Sequence, residues 1–406
     1  MTTTLIIVLC ALLLLAYLFD ISSAKTKIPS VILLLLLGWL VRQATVFFEL
    51  SIPDISQLLP LLGTVGLILI VLEGSLELEL NRSKLRLVGR TVIMALVPLF
   101  LLAFGLAFAF QQASGGSLKD CLANAIPLAI ISSAIAIPSV RNLSRQDREF
   151  VTYESSLSDI FGILFFNFIV LNESISTGSV KHFALEILIM LGITLAASIL
   201  LAFLLSRIRH HVKFVPVILM IVLVYSIAKI YHLPGLLFIL LFGLFVGNLD
   251  ELRHNKFVKL LRPDELDKEM HRFKGITVEL VFLIRSLFFL LFGFLIETKE
   301  VLDTNSLLWS VAICAAIIAI RYLFLRITRT AVSPLLFIAP RGLITILLFL
   351  SIPDAQRNPV VTRSMIVQVI IIMALLMMMG LFKKTLPSTV PEQAVDDEEK
   401  NSLNDY

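Results

Sequence analysis

Residues 153–170 read YESSLSDIFGILFFNFIV, an apolar stretch that contains two carboxylates, Glu154 and Asp159. Its length and composition are typical of a helix that crosses a bilayer. If the span begins near residue 150, Asp159 lies roughly 13 Å deep, close to the middle of a hydrocarbon core about 30 Å thick. A carboxylate at that depth is costly, and such residues usually have a function and a partner. We therefore expect Asp159 to carry the activity of the protein.

The composition predicts an all-α membrane protein. Of the 406 residues, 58% are hydrophobic and 16% are charged, whereas soluble domains are about 45–50% apolar and about 25% charged. Apolar runs long enough to span a bilayer recur along the chain and predict about 13 transmembrane helices. We place them at about residues 5–19, 28–41, 58–78, 87–110, 120–140, 150–171, 183–206, 213–229, 234–249, 275–296, 306–325, 334–352 and 364–382.

The basic residues predict the orientation of the chain. With 13 spans, 25 of the 34 Lys and Arg residues, Arg321 among them, fall on one side, seven fall on the other and two lie inside spans. Because cytoplasmic loops are enriched in Lys and Arg, the N-terminus is expected outside and the C-terminus in the cytoplasm of a plasma-membrane protein. The net charge of +4 then reflects loop topology, and we expect lipids as neighbours and no nucleic-acid partner.

The predicted organisation is a transmembrane domain over 1–384 and an acidic, disordered cytoplasmic tail over 385–406. The charged segment 250–274 has interleaved apolar residues, which favours an amphipathic cytoplasmic linker helix at the membrane surface. No soluble domain has room to fold, and no soluble partner is evident.

Two predicted spans contain residues that interrupt a helix. The fifth reads IISSAIAIP over 130–138, and the twelfth reads FIAPRGLIT over 337–345. Non-helical backbone at membrane depth is tolerated only inside protein or along a wet cavity. A pair of interrupted spans in corresponding positions of two halves points to a transporter site. The two spans are seven apart and so run in opposite directions, which predicts an inverted repeat.

The polar residues near Asp159 predict a site made of oxygen atoms. On a helix, Ser155 and Asp159 share one face. The interrupted fifth span adds hydroxyl groups and unpaired carbonyls, an environment that suits hard cations. Glu73, deep in the third span, is expected to line the access route of the ion. The predicted ion-binding residues are Asp159, Ser155, Ser158, Ser132, Ser133 and Glu73.

Three further charged residues are expected to balance one another. Glu154 and Arg341 lie at similar depths, so we pair them, since an unpaired charge at either place is costly. Arg285, in the middle of the tenth span, needs an acceptor, which Asp159 or the carbonyls of an interrupted span would provide.

These residues resemble the monovalent cation:proton antiporter superfamily, which includes the sodium/proton exchangers. Glu154-Ser155 with Ser158-Asp159 resembles the ESxxND motif of the sixth span, and Arg341-Gly342 resembles the Arg-Gly signature of the twelfth. Arg285 resembles the basic residue that the potassium-efflux and electrogenic branches have in the tenth span. The resemblance implies a dimerisation bundle, a six-helix core with crossed, unwound fifth and twelfth helices, a homodimer and elevator-like movement of the core.

The chain departs from the exchanger pattern at two positions. Ser132-Ser133-Ala134 replaces the usual Thr-Asp-Pro of the fifth span, and Ser158 replaces the Asn of the sixth. The second acidic ligand of the exchanger pattern is therefore absent, which leaves Asp159 as the carboxyl group on which exchange depends. Burial favours the neutral form of a carboxyl group and a cation favours the charged form, so a proton and a cation compete for it.

We expect electroneutral exchange of a monovalent cation, Na⁺ or K⁺, for H⁺ by alternating access, without a cofactor and without enzymatic activity. Two alternatives remain open at this point: a potassium-efflux pathway or channel on the same scaffold, and an anion carrier in which Arg285 and Arg341 bind the anion.

Overall fold

The computed structural model describes residues 2–26, 28–49, 57–78, 84–172, 177–207, 214–231, 233–248 and 263–383. The chain is all-α, as its composition predicts. The helices are α1 (Thr2–Thr26), α2 (Ser30–Phe47), α3 (Leu58–Glu77), α4 (Leu85–Ser114), α5 (Leu118–Ala129), α6 (Ser133–Ser139), α7 (Arg145–Leu171), α8 (Thr177–Arg207), α9 (Phe214–Ile230), α10 (Gly235–Gly247), α11 (Pro263–Leu295), α12 (Thr298–Val301), α13 (Thr304–Ile327), α14 (Leu343–Ser351) and α15 (Arg363–Lys383).

Within these ranges, ten helical segments are long and apolar enough to cross a membrane, with α5 and α6 counted as one. Two shorter apolar helices, α9 and α10, coincide with the predicted eighth and ninth spans. The prediction of a multi-span membrane protein is therefore confirmed. The count of thirteen spans, the inverted repeat and the crossing of the interrupted helices stay predictions.

The helices form two bundles. In the first bundle, α11 packs against α2 and α3, and α10 packs against α3, α8 and α9, while α1 lies on α2 and α11. In the second bundle, α4 packs against α5, α7 and α13, and α15 packs against α13. The helices α6 and α7 of the second bundle contact α3 of the first. Asp159 lies on α7, close to this boundary.

Two glycines bring α2 and α11 close together. Gly38 lies against the backbone of Leu290 and Phe294, and Gly293 lies against the backbone of Leu35. Close backbone approach through small residues is how helices gain packing energy in a membrane, where lipid is as apolar as the side chains. The first bundle is therefore joined at a contact that has no room for a side chain.

We predict that Gly38→Ala destabilises the protein and that Gly105→Ala does not. A Cβ at position 38 would lie 2.8 Å from the amide nitrogen of Phe294, and backbone cannot move aside as a side chain can. Overpacking of this kind costs about 1–3 kcal/mol. Nothing lies within 4 Å of a Cβ at position 105, so that variant has only the gain in helix propensity. Thermal unfolding in detergent measures both, and equal midpoints would contradict the prediction.

Only residues 263–274 of the segment expected to be a linker helix, 250–274, are described, and the linker stays a prediction. Residues 263–274 form the first turns of α11, which continues without a break into the predicted tenth span. The helix passes from the charged turns into the apolar turns without a break, because its backbone hydrogen bonds form equally well on both sides of the membrane boundary. Only the side chains differ between the two parts. Residues 250–262 and the tail 385–406 lie outside the described residues.

Candidate functional site

The site lies where two stretches of non-helical backbone meet. One is residues 130–132, between α5 and α6, and the other is residues 338–342, before α14. The N–H of Ser132 donates to the carbonyl of Pro340 at 2.9 Å, and the N–H of Ile131 donates to Oγ of Ser158 at 3.0 Å. Buried N–H groups need partners. The Ser158 hydroxyl thus stabilises the interruption beside Asp159.

Arg341 pairs with the carbonyls that the interruption frees. Its guanidinium donates to the carbonyls of Leu128 at 2.7 Å, Ala129 at 3.3 Å and Ala339 at 2.8 Å. The first two belong to the C-terminal end of α5, where the helix dipole favours a cation. Arg341 therefore acts as a cap that lets α5 end inside the protein.

Asp159 is almost fully enclosed, with 1% of its surface exposed. Its Oδ2 accepts a hydrogen bond from Oγ of Ser133, across the interruption. Its Oδ1 has no hydrogen-bond partner among the described residues, and neither has Oγ of Ser132. A buried polar oxygen without a partner is costly. Asp159 and the two serines therefore present acceptor atoms that a proton or a small cation can satisfy.

Ser155 has a different local role. Its Oγ donates to the carbonyl of Val151 at 2.8 Å, within its own helix. The lone pairs of that oxygen remain acceptors, so the bond is compatible with cation binding. The structure thus places Ser132, Ser133 and Ser158 at the interruption, while Ser155 lies one turn before Asp159 on α7.

A cavity of about 490 Å³ leads to the site from one side of the protein. Its lining includes Glu73, Arg285 and Ser133, and Ser133 is the residue that contacts Asp159. A second cavity, of about 430 Å³, is lined by Ile163 and Phe166, which follow Asp159 on α7. Asp159 lines neither cavity, but its partner Ser133 opens only into the first.

The predicted pairing of Glu154 with Arg341 is wrong. Both carboxylate oxygens of Glu154 accept hydrogen bonds from Arg321, at 2.7 and 2.8 Å. Nε of Arg321 also donates to the carbonyl of Leu335 at 2.7 Å. The guanidinium of Arg341 already donates to three backbone carbonyls, so it does not need Glu154 as an acceptor. The pair is buried and bidentate, which makes it a structural element next to the site.

Arg285 contacts a backbone carbonyl, as expected, but its acidic partner is Asp20 and not Asp159. Its Nη1 lies 3.5 Å from the carbonyl of Ala134, the residue after Ser133. Its Nη2 lies 3.8 Å from Oδ1 of Asp20, on α1. Of the two expected acceptors, the carbonyl next to the interruption is present and Asp159 is not.

Arg321 and Asp20 are partners that the sequence pattern does not single out, for two different reasons. Arg321 lies inside the predicted span 306–325 but is counted with the basic residues of the adjoining loop; in the structure it is buried in α13, about 9 Å from the helix end at Ile327. Asp20 lies just beyond the predicted first span, which ends at residue 19, but α1 continues to Thr26. For Asp20 the missing information is the length of the helix beyond the apolar run, and for Arg321 it is which arginines near the end of a span turn into the protein.

Known proteins resemble this chain in family and in fold. The family described as "sodium/hydrogen exchanger, transmembrane" matches residues 10–386. No curated protein matches the chain in sequence. The sodium proton antiporter MjNhaP1 from Methanocaldococcus jannaschii, in a structure at pH 8, is similar in fold with a TM-score of 0.66 and 20% identity, over 94% of this chain and 96% of that one.

A structure of the same antiporter from an electron-microscopy map gives a TM-score of 0.67 and 18% identity, over 97% of this chain and all of that one. At these identities the likeness shows the fold. The family match covers nearly the whole chain and shows the family. The protein therefore belongs to the transmembrane sodium/hydrogen exchanger family.

Proposed function

We propose that the protein exchanges Na⁺ for H⁺ across the membrane by alternating access, with both ions binding in competition at Asp159. The observation that carries this proposal is the state of the Asp159 carboxylate. It is enclosed, one oxygen is held by Ser133 and the other has no partner among the described residues. A proton satisfies that oxygen by making it a hydroxyl, and a hard cation satisfies it by coordination.

Coupling follows from the cost of an uncompensated charge in the membrane. A bundle that carries a bare carboxylate through the bilayer pays that cost, and one that carries a protonated or cation-bound carboxylate does not. Asp159 must therefore bind either a proton or Na⁺ each time the bundle moves from one side of the membrane to the other. One proton against one Na⁺ moves no net charge, so we infer electroneutral exchange.

The two cavities support access from one side at a time. The first is lined by Ser133, which contacts Asp159, while the second is lined by Ile163 and Phe166, which follow Asp159 on α7. The asymmetry of Lys and Arg in the loops supports an orientation in which the first cavity faces the cytoplasm of a plasma-membrane protein. Glu73 lines this cavity and would attract the cation on its way to Ser133.

Flux measurements in proteoliposomes with a pH-sensitive dye test the proposal. We expect Na⁺ gradients to drive proton movement, and the apparent affinity for Na⁺ to fall as the pH is lowered, because protons compete for the same carboxylate. Parallel assays with Li⁺ and K⁺ test the potassium alternative, which no reported similarity favours. Proton flux driven by K⁺ alone would overturn the assignment to Na⁺, and a rate that follows an imposed voltage would overturn electroneutrality.

We predict that Ser133→Ala weakens Na⁺ binding and leaves folding intact. The variant removes the hydroxyl that holds Oδ2 of Asp159 and that opens into the first cavity. That hydrogen bond favours the ionised carboxylate over the protonated one by about 1.5–3 kcal/mol, so without it protons compete better and KM for Na⁺ rises roughly tenfold or more.

Ser139→Ala is the matched control for that variant. Ser139 ends the same short helix, and its Oγ donates to the carbonyl of Ile135 within that helix. We expect a KM close to that of the unmodified protein. Equal effects of the two variants on KM would mean that Ser133 has no specific role in the site.

We also infer a homodimer, as the family resemblance implies, in a cycle that needs no cofactor. Cross-linking in lipid nanodiscs measures the oligomeric state, and a monomer that transports at the full rate would contradict the inference.

A further inference from the structure

Asp20 lies where two arginines from different parts of the chain converge. Its Oδ1 is 3.8 Å from Nη2 of Arg285 and accepts a hydrogen bond from Oγ of Ser30 at 3.3 Å. Its Oδ2 is 3.4 Å from Nη1 of Arg141. The carboxylate is largely covered, with 18% of its side chain exposed. The proposed transport cycle so far gives this acid no role.

Arg285 presents a problem for a cation that uses the first cavity. It is buried, it lines the same cavity as Ser133, and it approaches the carbonyl of Ala134 beside the site. An ion on its way to Asp159 must pass close to this fixed positive charge. Glu73 in the lining offsets part of this charge, but the cavity as a whole stays basic, since basic residues outnumber acidic ones. The described lining contains Lys84, Arg141, Arg145, Arg148, Lys274 and Arg285 as bases and Glu73, Glu77 and Glu149 as acids.

We propose that Asp20 is a positioning residue that makes the first cavity passable to cations by pairing with Arg285. The carboxylate attracts the guanidinium toward α1 and offsets its charge, while Ser30 fixes the carboxylate from α2. The inference rests on the proposed function, because it assigns Asp20 an effect on Na⁺ binding. It adds an acid on the first helix to Glu73 and Asp159, which the proposed function already places on the cation path.

The positions of Asp20 and Arg285 in the fold favour a contact that persists through the transport cycle. Asp20 and Arg285 both belong to the first bundle, on α1 and α11, which pack together. Arg141 follows α6 and belongs to the second bundle, so its contact with Asp20 joins the two bundles. Movement of the second bundle would separate Arg141 from Asp20 but leave Asp20 beside Arg285.

The test is the sodium dependence of proton flux in Asp20→Asn. We expect KM for Na⁺ to rise tenfold or more, with kcat within about twofold. Removal of one unit charge roughly 10 Å from the bound cation changes the affinity by about tenfold at an effective dielectric constant near 20. Asp20→Glu keeps the charge and should restore most of the affinity. Arg141→Gln removes the other arginine and should leave KM unchanged or lower.

Combination with Arg285→Gln separates this role from a structural one. With the guanidinium gone, Asp20→Asn should cause no further rise in KM. If the double variant transports too slowly, the Na⁺ concentration that gives half the maximal rise in Tm provides the same comparison. The same rise in KM with and without Arg285, or a loss of kcat and folded yield at unchanged KM, would overturn the proposal.

A result that overturns the role of Asp20 can be distinguished from failure of the proposed function. Sodium-driven proton flux by the unmodified protein that does not exceed that of Asp159→Asn would refute the function, whatever Asp20 does. In that case the Tm values of the unmodified protein, the two single variants and the double variant still measure whether Asp20 and Arg285 interact. Additive losses in Asp20→Asn, Arg285→Gln and their double variant would show that the two side chains do not interact.

Discussion

Asp159→Asn should reduce sodium-driven proton flux to the rate of empty liposomes. The amide has nearly the same shape as the carboxyl group, so the hydroxyl of Ser133 can still donate to its oxygen. It cannot exchange a proton for a cation, however, because it neither ionises nor gains a negative charge. The site is then neutral in every state, and movement of the bundle no longer depends on either ion.

Stability and binding separate this result from misfolding. A buried carboxylate with an unpaired oxygen is costly, so its neutral isostere should have a Tm at least equal to that of the unmodified protein. Sodium should raise the Tm of the unmodified protein, by an amount equivalent to about 2.7 kcal/mol at a concentration 100 times Kd. It should not raise the Tm of Asp159→Asn.

Asp354→Asn is the matched control, since that side chain is 91% exposed and pairs with Arg357 outside the site. It should transport normally. Sodium-driven proton flux that persists in Asp159→Asn, with sodium still raising Tm, would show that the ions bind elsewhere.

The sequence was sufficient to predict the features that depend on one helix. A carboxylate nine residues into an apolar run is expected at mid-depth whatever the neighbouring helices do, and Asp159 is enclosed in the structure. Serines, a proline and a glycine at mid-depth also predict where backbone hydrogen bonds are missing. The contact between Asp159 and Ser133 follows from these two facts, because an interrupted span next to a buried acid supplies its polar groups.

Contacts between arginines and their partners could not be predicted in this way. Arg341 and Arg321 both lie near Glu154 in depth, and a guanidinium on a flexible side chain can reach several acceptors. The choice depends on which acceptors are already satisfied. The carbonyls of Leu128 and Ala129 need a donor once α5 ends, so they hold Arg341 and leave Glu154 to Arg321. Such competition becomes visible only when the helices are assembled.

Glu154→Gln should be among the most destabilising single changes in the second bundle. The variant leaves the guanidinium of Arg321 buried with only the carbonyl of Leu335 as a strong acceptor. Breaking a buried pair by removing one partner costs about 3–5 kcal/mol, because the remaining charge is uncompensated. We expect a lower Tm and a reduced yield of folded protein, measured by size-exclusion chromatography in detergent. Flux per folded molecule should fall much less than it does in Asp159→Asn.

A double-variant cycle identifies the partner of Glu154. Glu154→Gln combined with Arg321→Gln removes both charges and lets two amides pair, so the combined loss should be well below the sum of the single losses. Combination with Arg341→Gln should be close to additive, since Arg341 is held by carbonyls of Leu128 and Ala339. A large coupling to Arg341 and none to Arg321 would reverse the assignment. It would also mean that another group must supply the cap of α5, because the freed carbonyls of that helix need a donor inside the protein.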